Sequence, residues 1–211
     1  MEIVTYFKEE TEISYKQIVD LLHDSFQERL EQGLHYTCSY ITEEEYIQKT
    51  KGGLIFVAVD LETGDLAGTS TLNIHLDNKS KYGYMEYVAI ANKYKHKGVG
   101  SLLLQRLRQE AVAKVGCHYI LSDTSTKANS AVAFHLKNGF KIVGFESYRS
   151  TDYWSYVFRM QLTSSFLWGN IFFRIIHFMG SFLFIIVTRN MDGSDTWFGK
   201  QYKRLRKICT R

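Results

Sequence analysis

Residues Glu86–Ser101 read EYVAIANKYKHKGVGS, and the fold turns on this stretch. Tyr87, Val88 and Ile90 are aromatic or β-branched, which predicts a strand. The run Asn92-Lys93-Tyr94-Lys95-His96-Lys97 is polar. A helix is expected from Gly98-Val99-Gly100, with Leu102, Leu103, Leu107 and Val112 on its apolar side. Glycines at a strand-to-helix junction let backbone approach a ligand closely. The N–H groups of the first helical turn then point outward, and the helix dipole favours an anion there. Lys95, His96 and Lys97 stand beside those groups, so the stretch suits a phosphate or pyrophosphate. Taken alone, Gly-x-Gly is also compatible with a plain helix start behind a flexible entry.

The dinucleotide pattern G-x-G-x-x-G fails, because Leu103 stands at the third glycine, and no Gly-Lys-Ser/Thr of a P-loop follows. Lys95-His96-Lys97-Gly98-Val99-Gly100 instead resembles the acyl-CoA signature [Q/R]-x-x-G-x-[G/A] of the GNAT superfamily of N-acetyltransferases, with Lys95 in place of Gln or Arg. A second block, Ala128–Phe140 (ANSAVAFHLKNGF), is similar to the family's helix ending in Gly-Phe. The resemblance covers roughly residues 1–162. It implies an α/β (α+β) fold: a mixed, mostly antiparallel sheet flanked by helices. It also implies transfer of an acetyl group from acetyl-CoA to a primary amine.

A chain of 211 residues accommodates one domain with a proper core and an appendage. Cys38, Cys117 and Cys209 have neither paired nor metal-ligand spacing, so reduced thiols, no metal and a cytoplasmic setting are expected. Residues 189–211 carry seven Lys/Arg against two Asp, a net of +5. With +4 overall, the remainder holds −1, so the basic character belongs to the tail.

In chain order, a strand is expected over Ile3–Tyr6, followed by a helix from Ser14 to about Gln32 with Ile18, Leu22 and Phe26 in one row. Thr42 with Glu45 marks a capping box for a short helix that stops at Gly52-Gly53. Leu54–Asp60 and Leu66–His75 read as a hairpin, and Asp77–Lys81 as a polar loop before the strand Tyr82–Ala91. The helix from Gly98 reaches about Val115. Tyr119–Asp123 is a strand, Lys127–Asn138 a helix, and Phe140–Gly144 and Tyr153–Leu162 the last strands.

Acyl transfer to an amine needs a base for the amine, a donor for the carbonyl oxygen and a proton for the leaving thiolate. The resemblance implies that the Val88 N–H faces the acetyl oxygen, that Ile90 bonds the pantetheine amide, and that Lys95–Ser101 (Lys95, His96, Lys97, Gly98, Val99, Gly100 and Ser101) hold the pyrophosphate. Glu86, two residues before Val88 on the same strand, is the candidate base; the alternative is an exposed strand carboxylate. Tyr84 shares its face and is placed to relay a proton through water. Where the family usually has a tyrosine acid, this chain has His135, either an acid titrating near neutrality or a packed helix residue. Asn129 either bonds the pantetheine arm, caps its helix or faces solvent. A non-catalytic acyl-CoA-binding module tethered to a membrane or partner is the competing reading.

The second part, 163–211, contains Ser165–Val187, apolar apart from a stripe of Asn170, Arg174, His177 and Ser181. Its length suits an apolar helix. One crossing would separate the basic flank from the acetyl-CoA side, so a helix lying in the interface or a re-entrant pair bent near Gly180, with the tail on anionic lipid at the inner face of a membrane, is expected. A homodimer contact is the soluble alternative. The acceptor is expected to be a small-molecule amine, with an amino sugar suggested by the aromatic and hydroxyl content of Glu31–Tyr40 and Ser147–Tyr153. No nucleic-acid module is recognisable.

Overall fold

The computed structural model describes residues 1–77, 80–147, 153–162, 196, 197, 199 and 200. Its elements are β1 (Ile3–Phe7), α1 (Tyr15–Glu31), α2 (Glu43–Thr50), β2 (Leu54–Asp60), β3 (Leu66–Asp77), β4 (Ser80–Ile90), α3 (Val99–Glu110), β5 (Tyr119–Ser125), α4 (Asn129–Lys137), β6 (Lys141–Glu146) and β7 (Ser155–Gln161). This is the order expected from the sequence. The candidate apolar helix 165–187 and most of the basic tail lie outside the described residues. Among those described, no helix is long and apolar enough to cross a membrane. The described residues group into two compact units, 1–122 (without 78 and 79) with 160–162, and 123–147 with 153–159, 196, 197, 199 and 200.

In the first unit β1, β2, β3 and β4 pair antiparallel in sequence order, and β5 joins β4 in parallel. Local signals set the helix starts. Ser14 accepts from the Gln17 N–H at 3.2 Å and Thr42 from the Glu45 N–H at 3.1 Å; the Gln17 and Glu45 side chains reach back to the cap N–H groups. The expected polar loop Asp77–Lys81 is corrected: pairing runs out to Asp77↔Ser80, so the polar residues belong to exposed strand ends. The helix expected to reach Val115 does so, but its last turn, Ala111–Val115, is a π-turn.

Side chains alternate along a strand, so the even and odd residues of β3 belong to opposite faces. The Thr71 hydroxyl meets the Tyr46 hydroxyl of α2 at 3.1 Å, which puts α2 on the odd face. A Cβ at Gly68 would stand 3.1 Å from Leu103 Cδ1, which puts α3 on the even face. β2 is therefore covered on both sides, and Ile55, Phe56, Val57 and Ala58 are all buried. Ile18, Leu22 and Phe26, the expected row of α1, are buried, as are Leu103 and Leu107 of α3. Each such side chain contributes about 1.5–3 kcal/mol by leaving water. In the second unit β6 and β7 form an antiparallel pair, and α4 packs His135 against Phe158 of β7.

Burial pushes the Tyr46 hydroxyl well above the ordinary tyrosine range. The unfolded chain releases that proton near pH ~10 and the native state keeps it, so stability is fully present below that pH and falls as pH rises past it. Wild-type protein is expected to lose about 1.4 kcal/mol per pH unit from this group above pH ~10. Tyr46→Phe is expected to cost about 1 kcal/mol at neutral pH through the lost Thr71 partner, yet to lack this slope. Urea unfolding midpoints at several pH values check both; parallel wild-type and Tyr46→Phe profiles would contradict the assignment.

Candidate active site

The site begins where the β3–β4 ladder slips. Thr71 pairs with Glu86 and Thr69 with Ala89, so Ser70 alone faces both Tyr87 and Val88. Tyr87 takes up the extra residue with φ 51°, a left-handed conformation unusual for a bulky side chain. Such a bulge leaves a residue out of the ladder and re-aims the strand. The other edge of β4 is released as well. Its pairing with β5 covers only Tyr82, Gly83 and Tyr84, while β4 continues to Ile90. Val88 and Ile90 thus lie on backbone that β5 does not engage. The Ser25 hydroxyl of α1 donates to the Ile90 carbonyl at 3.2 Å and ties down the end of the strand.

The chain then enters the glycine turn over a fixed support. Buried Tyr94 donates its hydroxyl to Asp60 at 2.9 Å, its N–H reaches the Ala91 carbonyl at 2.8 Å, and Lys93 pairs with Asp65. His96 has φ 63° and Gly98, the N-cap of α3, has φ 84°. Left-handed residues at His96 and Gly98 curve the backbone as an anion nest requires, with the Lys97 N–H between them held by the Tyr94 carbonyl at 3.4 Å. Only glycine takes the Gly98 conformation without strain, and a Cβ there would meet no atom within 4 Å, so space is open in front of the turn. Lys95 is half-buried while His96, Lys97, Gly98 and Ser101 are exposed; Val99 is buried and Gly100 half-buried. A glycine-led helix start, two lysines and open space suit a pyrophosphate.

Glu86 and Tyr84 pair with Thr71 and Asn73, so they share the odd face as expected. Both are half-buried. Asn73 Nδ2 donates to Glu86 Oε2 at 2.6 Å. Tyr84 meets the ring of His75 edge-on at 6.2 Å, and His75, Tyr82 and Tyr119 stack in series at 5.2 and 5.1 Å. Tyr87 lies edge-on to Tyr46 at 5.1 Å. Burial, and then the Glu86 charge, push the Tyr87 hydroxyl above its ordinary range. Asn73 and Tyr46 were absent from the sequence reading, and Tyr87 entered it only as a strand former. Asn73 was findable in principle by pairing register; the bulge that exposes Tyr87 leaves no period to detect.

The second unit holds the other two candidates. Asn129 is the exposed first residue of α4; the cap position is Ala128, so capping is not its role. His135 is buried, 4.4 Å from Phe158 and 5.0 Å from Phe140 between ring centres. Its Nδ1 donates to the Ala131 carbonyl at 2.7 Å. Burial holds its pKa below the usual histidine range despite that bond.

A sheet whose fourth strand breaks from its neighbour just ahead of a glycine-led helix, with a carboxylate on the same strand, defines an enzyme built for acyl transfer. The model of the acetyltransferase (GNAT) family matches residues 15–140, and the chain belongs to that family of N-acetyltransferases, which use acyl-CoA. No curated protein matches the sequence. Among solved structures, the fold is similar to a GNAT-family acetyltransferase from Streptococcus pneumoniae, at 19% identity over 77% of this chain and 100% of the other, with a TM-score of 0.56. The NatC complex bound to Gag peptide and CoA gives 18% identity, the same coverages and 0.60. The ribosomal-protein-S5-alanine acetyltransferase from Vibrio fischeri gives 12% identity over 78% of this chain and 95% of the other, at 0.56. At these identities the likeness is one of fold.

Tyr94→Phe removes the hydroxyl that supports the glycine turn and leaves the buried Asp60 carboxylate short of a donor. A loss of about 1–3 kcal/mol is expected in denaturant unfolding. An unchanged midpoint would show that Tyr94 does not anchor the turn.

Proposed function

We propose that the enzyme moves an acetyl group from acetyl-CoA to the primary amine of a small-molecule acceptor. The observation that carries the reading is one strand, β4, that presents a carboxylate at Glu86, bulges at Tyr87–Val88 and leads directly into the left-handed turn at Gly98. Acetyl-CoA supplies the activated acyl group. Glu86 takes the ammonium proton, directly or through Tyr84 and water, and so frees the amine lone pair for attack. The Val88 N–H stabilises charge on the acyl oxygen. Ile90 holds the pantetheine amide, and the turn from Lys95 to Ser101 holds the pyrophosphate, with Lys95 and Lys97 neutralising it.

A contact from Asn129 to the pantetheine arm rests on the family resemblance alone. The sequence left two roles open for His135, and its geometry favours the packed one. In that role His135 packs against Phe140 and Phe158 and the thiolate leaves without it. The acceptor class rests on the sequence of Glu31–Tyr40 and Ser147–Tyr153, whose aromatic and hydroxyl content suits an amino sugar; 148–152 lie outside the described residues. The peptide on one structural neighbour makes a polypeptide N-terminus the second class to test. Attachment to the inner face of a membrane through 165–187 and the tail, or a homodimer contact there, rests on sequence alone.

Release of free thiol from acetyl-CoA is the direct assay, against glucosamine, spermidine, phenethylamine and a peptide starting with alanine. Gly98→Glu places strain and negative charge in the nest. It is expected to weaken acetyl-CoA binding more than tenfold in calorimetry, about 1.4 kcal/mol. Glu86→Gln is expected to keep acetyl-CoA affinity, to lower turnover by about 10²–10⁴-fold and to flatten the acid limb of the pH–rate profile. Unchanged affinity in folded Gly98→Glu contradicts the cofactor site, and wild-type turnover in Glu86→Gln contradicts the base. Tight acetyl-CoA binding without thiol release from any amine would favour a non-catalytic module.

A further inference from the structure

Resting on Glu86 as the base, we infer that Asn73 of β3 is a positioning residue that fixes the Glu86 carboxylate, and that Gly53 is glycine to leave room for it. The Asn73 carboxamide is held on three sides. Its Nδ2 donates to Glu86 Oε2 at 2.6 Å and to the Lys49 carbonyl of α2 at 3.3 Å. Both partners are acceptors, so the amide orientation is forced. Its Oδ1 lies over Gly53, where a Cβ would collide with it and would also stand 3.1 Å from the carbonyl oxygens of Leu72 and Thr50. Gly52 already supplies the left-handed residue that ends the turn after α2, at φ 81°. Gly53 has no such φ, so its requirement is space, which the Asn73 Oδ1 takes most closely and the Leu72 and Thr50 carbonyl oxygens share.

The consequence is mechanical. A strand glutamate has three rotatable bonds, and the charge-assisted bond from Asn73 removes that freedom from the carboxylate. A base held in place loses no rotamer entropy as it meets the ammonium. The Lys49 carbonyl fastens the same carboxamide to α2, so the base is registered to the helix that also packs Tyr46 against Tyr87. The titratable groups around this corner are Tyr84 and Tyr87 of β4, His75 of β3, Tyr46, Glu45 and Lys49 of α2, and Cys38 between the helices. None of them is altered by the variants below.

The test uses Asn73→Leu, Asn73→Asp and Gly53→Ala in the full-length protein, with the amine panel above and acetyl-CoA affinity as the measure of intact folding. Asn73→Leu and Gly53→Ala are expected to lower kcat about tenfold at unchanged acetyl-CoA affinity. In the Glu86→Gln background Asn73→Leu should add no further loss, because the base whose placement Asn73 serves is already gone. Asn73→Asp puts a second carboxylate beside Glu86, so the acid limb should move to higher pH by about a unit or more. Carboxyl ¹³C titration of Glu86, assigned through Glu86→Gln, reads the same shift without turnover. Impaired Glu86→Gln together with fully active Asn73→Leu and an unmoved Glu86 titration in Asn73→Asp overturns the inference and leaves the base standing. Fully active Glu86→Gln overturns both.

Discussion

The constraint on which the structure depends is the slip in the β3–β4 ladder at Ser70, where Tyr87 and Val88 share one partner position. In a regular strand every inward N–H belongs to a neighbour and no backbone is left to bind a ligand. The bulge breaks that rule at one place, and the early end of the β4–β5 pairing at Tyr84 keeps the break open. It carries a strain of about 1–3 kcal/mol, because a tyrosine is held left-handed. The packing around it offsets this. Tyr46 is fully buried, meets the Tyr87 ring and bonds Thr71, the residue opposite Glu86.

Stability and chemistry therefore share side chains. α2 covers the odd face of β3 and through Lys49 and Tyr46 touches the residues on either side of Glu86. α3 covers the even face, and its glycine-led start lies at the end of the strand that bulges. The polar turn between them is held by Tyr94 and Asp60, so the lysines of the anion nest sit on a buried anchor. In the proposed reading one strand supplies base, oxyanion donor and entry to the nest, so a small sheet would assemble the site in few residues.

Much of this was legible in the sequence, for identifiable reasons. Capping boxes at Ser14 and Thr42 and the apolar row of α1 are local signals, and the structure follows them. The glycine turn was legible because a left-handed N-cap needs glycine at Gly98. The face shared by Tyr84 and Glu86 follows from a period of two. The bulge was not legible, since Tyr87 gives no hint of a positive φ, and neither was Asn73, whose importance depends on long-range register. Gly53 was read only as part of a helix stop; its N–H does close on the Thr50 carbonyl at 2.9 Å, but its missing side chain also leaves room for Asn73. The extent of β3 was underestimated because polar residues at an exposed hairpin end resemble a loop.

The central claim is that the backbone freed by the bulge, together with the glycine turn, receives the acyl-CoA. Backbone ¹H–¹⁵N resonances followed while acetyl-CoA is added test it most directly. The account predicts that the largest shifts fall on Val88, Ile90 and the run from His96 to Ser101. Saturable binding that leaves those amides unmoved, with shifts concentrated elsewhere, would contradict it.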